Sequence, residues 1–472
     1  MESHGPMKSC NGYPGRSILL AVLILATTAG GIPAQDAHYW NLQYGNRARL
    51  LGGAVIGSVL DVSAVYYNPG ALSLTESKGL LLAGNVFELR TLTWEDALGP
   101  GRDLGDTKFG GVPSLFAGEF RLGFLGDHRL AYSFLTRQTF NVRLTATGIS
   151  ADPFPDIPEL GTLAANVTIE QDMNEYWGGL TWSHTLGAHL GLGVSTFFAV
   201  RNQRTESSTQ AELVGTDTEQ AIAALQGRAY DFQDWRILWK IGLAAGFEQW
   251  ELGLNVTTPS VGLWGSGSAS SNDAEIAQNV DTSGDPELPR VEVDFQDGVS
   301  SSYESPLAIG AGAAYRFGAT KVYASAEWFS RIDPYRVLDT QPFIGQTSGD
   351  TLILNVVADA AQVLNWGVGV EHNFNERTGV YGSFATDFSS TAPGSETSAS
   401  VTFWDLYHAS LGTTFTVGQS VWTVGGILGF GGQEIGGIDV IPGDDEIISA
   451  LEETKLSIVS FTFILGFELE FQ

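Results

Sequence analysis

Large apolar and polar side chains alternate with a period of two at the C-terminal end of the chain. From Val459 to Phe471 every odd-numbered position is Val, Phe or Leu, whereas the even-numbered positions include Ser, Thr, Gly and Glu. The same alternation recurs over 235–243 and 250–257. A period of two puts one set on each face of a β-strand, so one face of each strand is almost wholly apolar. Such faces must be covered, and lipid is the simplest cover.

The composition limits the other classes of protein. Only 16% of the residues are charged, which is low for a soluble multidomain protein. No apolar run approaches the ~18 to 20 residues that a membrane-spanning helix needs. The net charge of −29 excludes an electrostatic basis for nucleic-acid binding. The single cysteine excludes an internal disulfide and a thiolate metal cluster, so we expect no cofactor, no metal site and no nucleic-acid partner.

The alternation predicts fourteen strands whose connections are short and long in turn. The predicted strands cover 78–94, 112–124, 129–148, 165–185, 189–205, 228–247, 250–258, 298–316, 321–331, 360–373, 378–389, 400–416, 420–431 and 455–472. The longest predicted loops are 206–227, 259–297 and 332–359. The fold class is therefore all-β, a transmembrane up-and-down antiparallel β-barrel with short periplasmic turns and long outer loops. Tryptophans near predicted strand ends are interpreted as an interfacial girdle, namely Trp40, Trp94, Trp177, Trp182, Trp235, Trp328 and Trp404.

The first 77 residues do not follow the alternation. Residues 1–34 contain basic residues, an apolar run over 18–26 and a small-residue end, which is the pattern of a secretory signal peptide. Residues 35–77 contain small residues and an Asn-Pro turn, and they predict an N-terminal plug or hatch inside the lumen. The barrel is then expected to span 78–472, in an exported protein.

Three short motifs resemble the outer-membrane long-chain fatty-acid transporter family, the FadL/TodX type. They are the segment from Gly45 to Ala48, the Gly-Gly-Ala run from Gly52 to Ala54, and Asp-Val-Ser-Ala-Val-Tyr-Tyr-Asn-Pro from Asp61 to Pro69. The family's usual Asn-Pro-Ala here reads Asn-Pro-Gly. The resemblance implies an outer-membrane channel for passive uptake of long-chain fatty acids or other hydrophobic compounds. It also implies an N-terminal hatch and a sideways exit through the wall, with the gate residues Asp61, Asn68, Pro69 and Gly70.

Several basic residues occupy the alternate strand positions that are predicted to face the lumen. Arg201, Arg236, Lys240 and Arg316 could each hold a fatty-acid carboxylate by charge-assisted hydrogen bonds. Glutamates such as Glu327 share the same face, and pairing with them to fill and rigidify the barrel is the favoured interpretation. The expected partners are hydrophobic small molecules, the outer-membrane lipid and lipopolysaccharide, and a periplasmic or surface protein.

Two other functions stay open from the sequence. One is a non-transporting partner barrel of a secretion or surface-assembly system, in which the outer loops bind another protein. The other is an outer-membrane lipid hydrolase that would use His408 and Ser410, which share one strand face. No nucleophile-elbow motif surrounds this serine, and a hydrogen-bonded lumen histidine is the better interpretation.

Overall fold

The structure is a computed structural model of the 472-residue chain. It describes residues 37–58, 61–75, 79–95, 103–111, 113–120, 126–150, 161–215, 221–278, 289–354, 356–391, 404–418, 420–435 and 454–470. The predicted signal peptide, residues 1–34, lies outside the described residues and stays a prediction. Within the described ranges no helix is both long and apolar enough to cross a membrane.

The described residues are mostly β-strand. The strands are β1 Gly79–Trp94, β2 Leu104–Gly110, β3 Pro113–Phe120, β4 His128–Ser150, β5 Thr162–Leu186, β6 Leu190–Val214, β7 Ala221–Gly246, β8 Trp250–Thr257, β9 Val261–Gln278, β10 Arg290–Ser300, β11 Ala308–Phe317, β12 Thr320–Phe329, β13 Ile332–Leu338, β14 Phe343–Ile344, β15 Thr351–Leu352, β16 Val356–Ala360, β17 Val363–Asn375, β18 Thr378–Asp387, β19 Asp405–Val417, β20 Ser420–Ile435 and β21 Thr454–Glu470. The helical elements are Asn46–Leu50, Ala64–Tyr67 and the 3₁₀ turn Pro69–Ser73.

Antiparallel pairings join the strands into a ring. The order is β1, β3, β4, β5, β6, β7, β8, β11, β12, β17, β18, β19, β20 and β21, which is fourteen staves in the described chain. Strand β21 pairs back onto β1 from Leu456↔Trp94 to Glu470↔Gly79. Because a closed ladder pairs the backbone polar groups of every stave, it is the β-structure that lipid tolerates. The predicted all-β barrel is confirmed.

The outer face carries an apolar belt between two aromatic groups. Midway along β7, the rings of Trp235 and Trp264 stack with their centroids 5.3 Å apart. Near the short turns, the rings of Trp250 and Tyr315 lie 4.6 Å apart. Exposed aliphatic side chains such as Leu254 fill the band between them. Aromatic girdles flanking an apolar band are typical of a barrel that crosses a bilayer.

The girdle prediction is wrong for some tryptophans. Trp40, Trp177 and Trp404 are buried inside the barrel, whereas Trp182 is exposed. The three buried tryptophans fill the lumen. Their position near a strand end in the sequence did not distinguish them from interfacial residues.

The strands also continue far beyond the membrane belt on the side opposite the short turns. In β7, residues 221–234 precede Trp235 and still pair with β6 and β9, which at ~3.3 Å per residue adds about 45 Å of strand. The predicted loops 206–227 and 259–297 are therefore wrong over most of their described residues. The reason is that most side chains of 206–227 and 265–278 are polar or small on both faces, so the alternation that reveals a lipid-facing strand is missing there.

Residues 37–75 pack inside the ring and meet its inner wall at glycines. A Cβ atom at Gly242 would overlap Asn68 and Pro69, and one at Gly253 would overlap the Ile56 carbonyl. A Cβ atom at Gly70 would lie 2.6 Å from the carbonyl oxygens of both Gly191 and Gly242. The glycines of the inner wall thus let the backbone of the N-terminal segment approach that of the strands.

We expect Gly193→Ala to displace the N-terminal segment while the barrel still assembles. The added Cβ atom would overlap the Pro69 carbonyl, whereas the backbone ladder is untouched. Limited proteolysis should cleave the segment faster, and heat-modifiable migration on gels should remain. The matched control is Gly178→Ala, whose Cβ atom has no other atom within 4 Å. Equal protection in both variants would contradict the close approach.

Candidate functional site

The Asn-Pro turn is held against the inner wall by its own side chain. The side-chain oxygen of Asn68, Oδ1, accepts a hydrogen bond from the Gly70 N–H at 3.1 Å. Its amide nitrogen donates to the carbonyl oxygens of Ile56 and Leu243, each at 3.0 Å. Proline at the next position fixes φ and begins the 3₁₀ turn. The structure therefore brings Asn68, Pro69 and Gly70 together at the wall.

Asp61 has a more local role. Its carboxylate accepts a hydrogen bond from the Ser63 N–H at 2.8 Å, and the residue is buried. Bonding of this kind nucleates the helix Ala64–Tyr67 that leads into the Asn-Pro turn. Asp61 thus orders the chain before the turn. The hydrogen bonds that join the turn to the wall are made by Asn68.

Two of the predicted lumen cations share one carboxylate. Glu175 accepts from Arg201 Nη1 at 3.0 Å and lies 2.8 Å from Arg236 Nη2. Asp234 lies 3.1 Å from Arg236 Nε. Both arginines are fully buried. They occupy neighbouring strands, β6 and β7, with Glu175 beside them on β5, so the predicted pairing of lumen cations with acidic side chains is observed between adjacent strands and not across the lumen.

The irregular segment 301–307 enters the lumen above this cluster. The Tyr303 ring contacts two guanidinium groups, with its centroid 4.1 Å from the Arg201 Cζ and 4.6 Å from the Arg236 Cζ. The Ser305 hydroxyl accepts from Arg236 Nη1 at 2.6 Å. Cation–π contacts of this kind are strongest where water is excluded. Arg201 and Arg236 are therefore occupied by the protein itself.

Lys240 is also paired, but Arg316 lies elsewhere. Lys240 Nζ donates to Glu327 at 3.2 Å, and the indole N–H of Trp40 donates to the same carboxylate at 2.9 Å. Arg316 is exposed near the short-turn end of β11, where its backbone N–H donates to the Gln249 carbonyl at 2.9 Å. The structure does not bring Arg316 together with the other three cations.

Sequence reasoning missed Arg137, which faces the same region of the lumen. A β-bulge in β4 between Thr136 and Gln138 leaves Arg137 without a partner residue on β5. The residue is buried, and its guanidinium lies over the rings of Tyr66 and Trp177, 5.9 Å and 5.5 Å from their centroids. The one signal in the sequence is that the alternation along β4 shifts by one residue at this point. The outward apolar set is even-numbered before the bulge, and the outward polar set is odd-numbered after it.

A cavity, named here the Arg137 cavity, lies between the N-terminal segment and segment 301–307. It has a volume of about 40 Å³ and is lined in part by Tyr39, Tyr66, Arg137, Trp177, Tyr303 and Phe329. Burial raises the pKa of Tyr66 to about 12 and raises that of Tyr44 as well. Neither phenol is therefore ionised at neutral pH, and neither supplies a negative charge to Arg137.

A second cavity, named here the His408 cavity, lies on the other side of the N-terminal segment. It has a volume of about 70 Å³, and its lining includes His38, Trp40, Phe140, Trp404, Leu406 and His408. The Ser410 hydroxyl donates to the Leu50 carbonyl at 2.6 Å and lies 2.6 Å from the Ser383 hydroxyl. Ser410 is thus used to hold the N-terminal segment, and no hydrogen bond joins it to His408 in the described chain.

The wall is interrupted beside the His408 cavity. Strand β2 pairs with β1. Strand β4 pairs with β5 along its whole length but with β3 only over Leu130–Leu135. Among the described pairings no ladder joins β2 to the outer half of β4. Two donors bridge the edges instead, since the Arg143 N–H donates to Asp106 at 3.4 Å and the Arg90 guanidinium donates to the Asn141 carbonyl.

Comparison with solved structures identifies the architecture. A Pseudomonas aeruginosa FadL homologue is 14% identical, with a TM-score of 0.54, and the match covers 94% of this chain and 100% of that one. The CymD monoaromatic hydrocarbon channel is 12% identical at a TM-score of 0.52, covering 92% and 99%. The Pseudomonas putida toluene transporter TodX is 12% identical at 0.52, covering 93% and 100%. The chain has the fold of the FadL/TodX-type channels.

The resemblance first seen in residues 45–72 is confirmed at the level of the fold. No protein-family model matches the sequence, and no curated protein sequence matches it.

We expect Glu175→Gln to destabilise the barrel by about 3 to 5 kcal/mol, because it leaves two buried arginines short of negative charge. The control is Glu170→Gln on the same strand. Glu170 pairs with Arg143 at 3.8 Å, both side chains being at least half exposed, so its loss should cost about 0 to 1 kcal/mol. Urea unfolding in lipid vesicles measures both free energies. Similar values for the two variants would argue against a structural role for the cluster.

Proposed function

We propose that this protein is an outer-membrane channel for passive uptake of small hydrophobic compounds. In this proposal it is exported by the signal peptide over 1–34, the N-terminal segment 37–75 is a hatch, and the protein is not an enzyme. The observation that carries the proposal is the filled lumen. In the part of the chain that the structure describes, the N-terminal segment fills a barrel with a lipid-facing belt, and partly aromatic cavities lie beside it.

The relatives in fold support the same function. Two of them are named as a monoaromatic hydrocarbon channel and a toluene transporter, and the third as a FadL homologue. At ~10 to 15 Å³ of free volume per water, the two cavities hold about three and five waters. Both volumes are below the ~150 Å³ of a cavity that binds benzene, so a ligand would enter only when the N-terminal segment moves, and a single aromatic ring needs less movement than a long acyl chain. We therefore favour compounds of the size of toluene over long-chain fatty acids.

The proposed route leaves the barrel sideways. The His408 cavity is lined by Thr139 and Phe140 of β4 and by Arg90 of β1, which border the interruption between β2 and β4. A hydrophobic molecule in this cavity would leave the barrel there, beside the exposed Phe109 of β2, without crossing the polar lumen below. Single hydrogen bonds such as that from the Arg143 backbone N–H to the Asp106 carboxylate are weaker together than a backbone ladder, so this edge parts more easily than the paired edges of the described strands.

The two alternative functions have less support. A hydrolase would need the Ser410 hydroxyl free to attack, whereas it is bonded to the N-terminal segment. A partner barrel that docks a secreted protein would use the extended outer sheet, and it would carry no hydrophobic compound. Uptake measurements therefore discriminate between the proposal and both alternatives.

We expect the double variant Asn68→Ala, Pro69→Ala to loosen the hatch. It removes three hydrogen bonds of Asn68, which together contribute about 2 kcal/mol and correspond to roughly a 30-fold rise in the released population. Uptake of labelled toluene into proteoliposomes should change, and leakage of small polar solutes should rise. The barrel should still assemble, because the ladder of the wall is intact.

Asn272→Ala is the control for this experiment, since Asn272 is exposed on β9, away from the hatch. It should leave toluene uptake and leakage at the native level. A double variant that assembles and has native toluene uptake and native leakage would remove the hatch from the proposal. Native protein that carries no toluene would overturn the proposed function itself.

A further inference from the structure

Arg137 is set apart from the other buried cations near it by its pairing. Arg201 and Arg236 lie within 3.0 Å of Glu175, and Lys240 lies 3.2 Å from Glu327. Among the residues that the structure describes, Arg137 makes no ion pair. Its side-chain contacts are the faces of Tyr66 and Trp177 and a hydrogen bond with the Tyr44 hydroxyl. A buried guanidinium with five N–H donors therefore has donors left for a further partner.

The β-bulge between Thr136 and Gln138 determines where the Arg137 side chain points. A regular strand would put Arg137 and Gln138 on opposite faces, but the bulge directs both inward. Gln138 then bonds to Arg201 at 2.9 Å and to the His38 carbonyl at 2.9 Å. Bulges often re-aim a side chain beside a functional site. Here the bulge adds one cation to the wall of the Arg137 cavity. Among the described residues no carboxylate forms an ion pair with it, and Glu175 and Glu327 act on it only at longer range.

The rest of the cavity wall is aromatic. Tyr39, Tyr66, Trp177, Tyr303 and Phe329 line it, and Tyr39 stacks on Phe329 with centroids 4.3 Å apart. The carboxylates on its wall are Glu175 and Glu327, which the other cations engage, and the exposed Glu304 at the rim. Aromatic walls and one available guanidinium match a flat ring that carries one negative group.

We propose that the Arg137 cavity binds small aromatic monocarboxylates, with the carboxylate on the Arg137 guanidinium and the ring among the aromatic side chains. This inference rests on the proposed channel function and adds a charged class of compound to its hydrophobic ones. Burial favours the match, because a carboxylate bound to an otherwise unpaired buried guanidinium completes an ion pair out of water. Arg201, Arg236 and Lys240 do not serve this role, since carboxylates of the protein already occupy them.

The test is calorimetric titration of benzoate into the whole barrel in detergent. Arg137→Gln should weaken benzoate binding by about tenfold or more, the typical effect of losing a charge-assisted hydrogen bond. Arg137→Lys keeps the charge and should restore part of the affinity. Arg143→Gln, on the same strand but exposed, is the matched control and should bind benzoate as the native protein does.

Native protein supplies a second measurement if Arg137→Gln fails to assemble. Benzamide, which has the shape of benzoate without its charge, should bind at least tenfold more weakly, and so should hexanoate, which lacks the ring. Benzamide binding as tight as benzoate, or an assembled Arg137→Gln variant with native benzoate affinity, would overturn the proposal. Equal binding of hexanoate would overturn the aromatic class. If toluene uptake persists in those cases, only this inference fails and the channel function stands.

Discussion

The structure depends on one requirement, that no backbone hydrogen-bonding group face lipid unpaired. The pairing of β21 with β1 meets it by closing the ladder, and each stave then needs an apolar outer face. A ring of fourteen strands encloses a lumen too wide for its own side chains to fill. The N-terminal segment 37–75 fills it, and it does so because the inner wall carries glycine where the segment passes. The high glycine content of the chain is thus partly a consequence of closure.

Filling the lumen also decides where the charges are placed. Buried ions are tolerated when they are paired and hydrogen-bonded, and the lumen follows this rule on adjacent strands. Glu175 serves two arginines, and Glu327 serves Lys240 together with the Trp40 indole of the N-terminal segment. Lys321 likewise pairs with Glu251 and donates to Ser58 at 2.7 Å. The charges therefore join the plug to the wall as well as strand to strand.

The sequence predicts the strands that face lipid and few of the strands that face water. Trp235 to Leu243 and Val459 to Phe467 are identifiable as staves because one face must be apolar. The parts of β6, β7 and β9 beyond the belt have water on their surfaces, so the sequence around Ser207 and Asn272 shows no apolar alternation and resembles that of a loop. The Asn-Pro turn is predictable from its residues, whereas its contacts with Leu243 and Gly242 need the fold. Parity placed Arg201, Arg236 and Lys240 in the lumen, and it could not separate them from the exposed Arg316.

The bulge in β4 marks the limit of such reasoning. Parity assigns a side chain to a face only while the ladder is regular, and one extra residue reverses the assignment for everything after it. Arg137 sits at that reversal, so its position depends on a backbone irregularity that no local residue type specifies. The chemistry of Arg137 follows from how it differs from the neighbouring cations. Where the neighbouring cations are neutralised by carboxylates of the protein, a guanidinium whose contacts are two aromatic faces and a neutral phenol is the position at which an outside anion gains most.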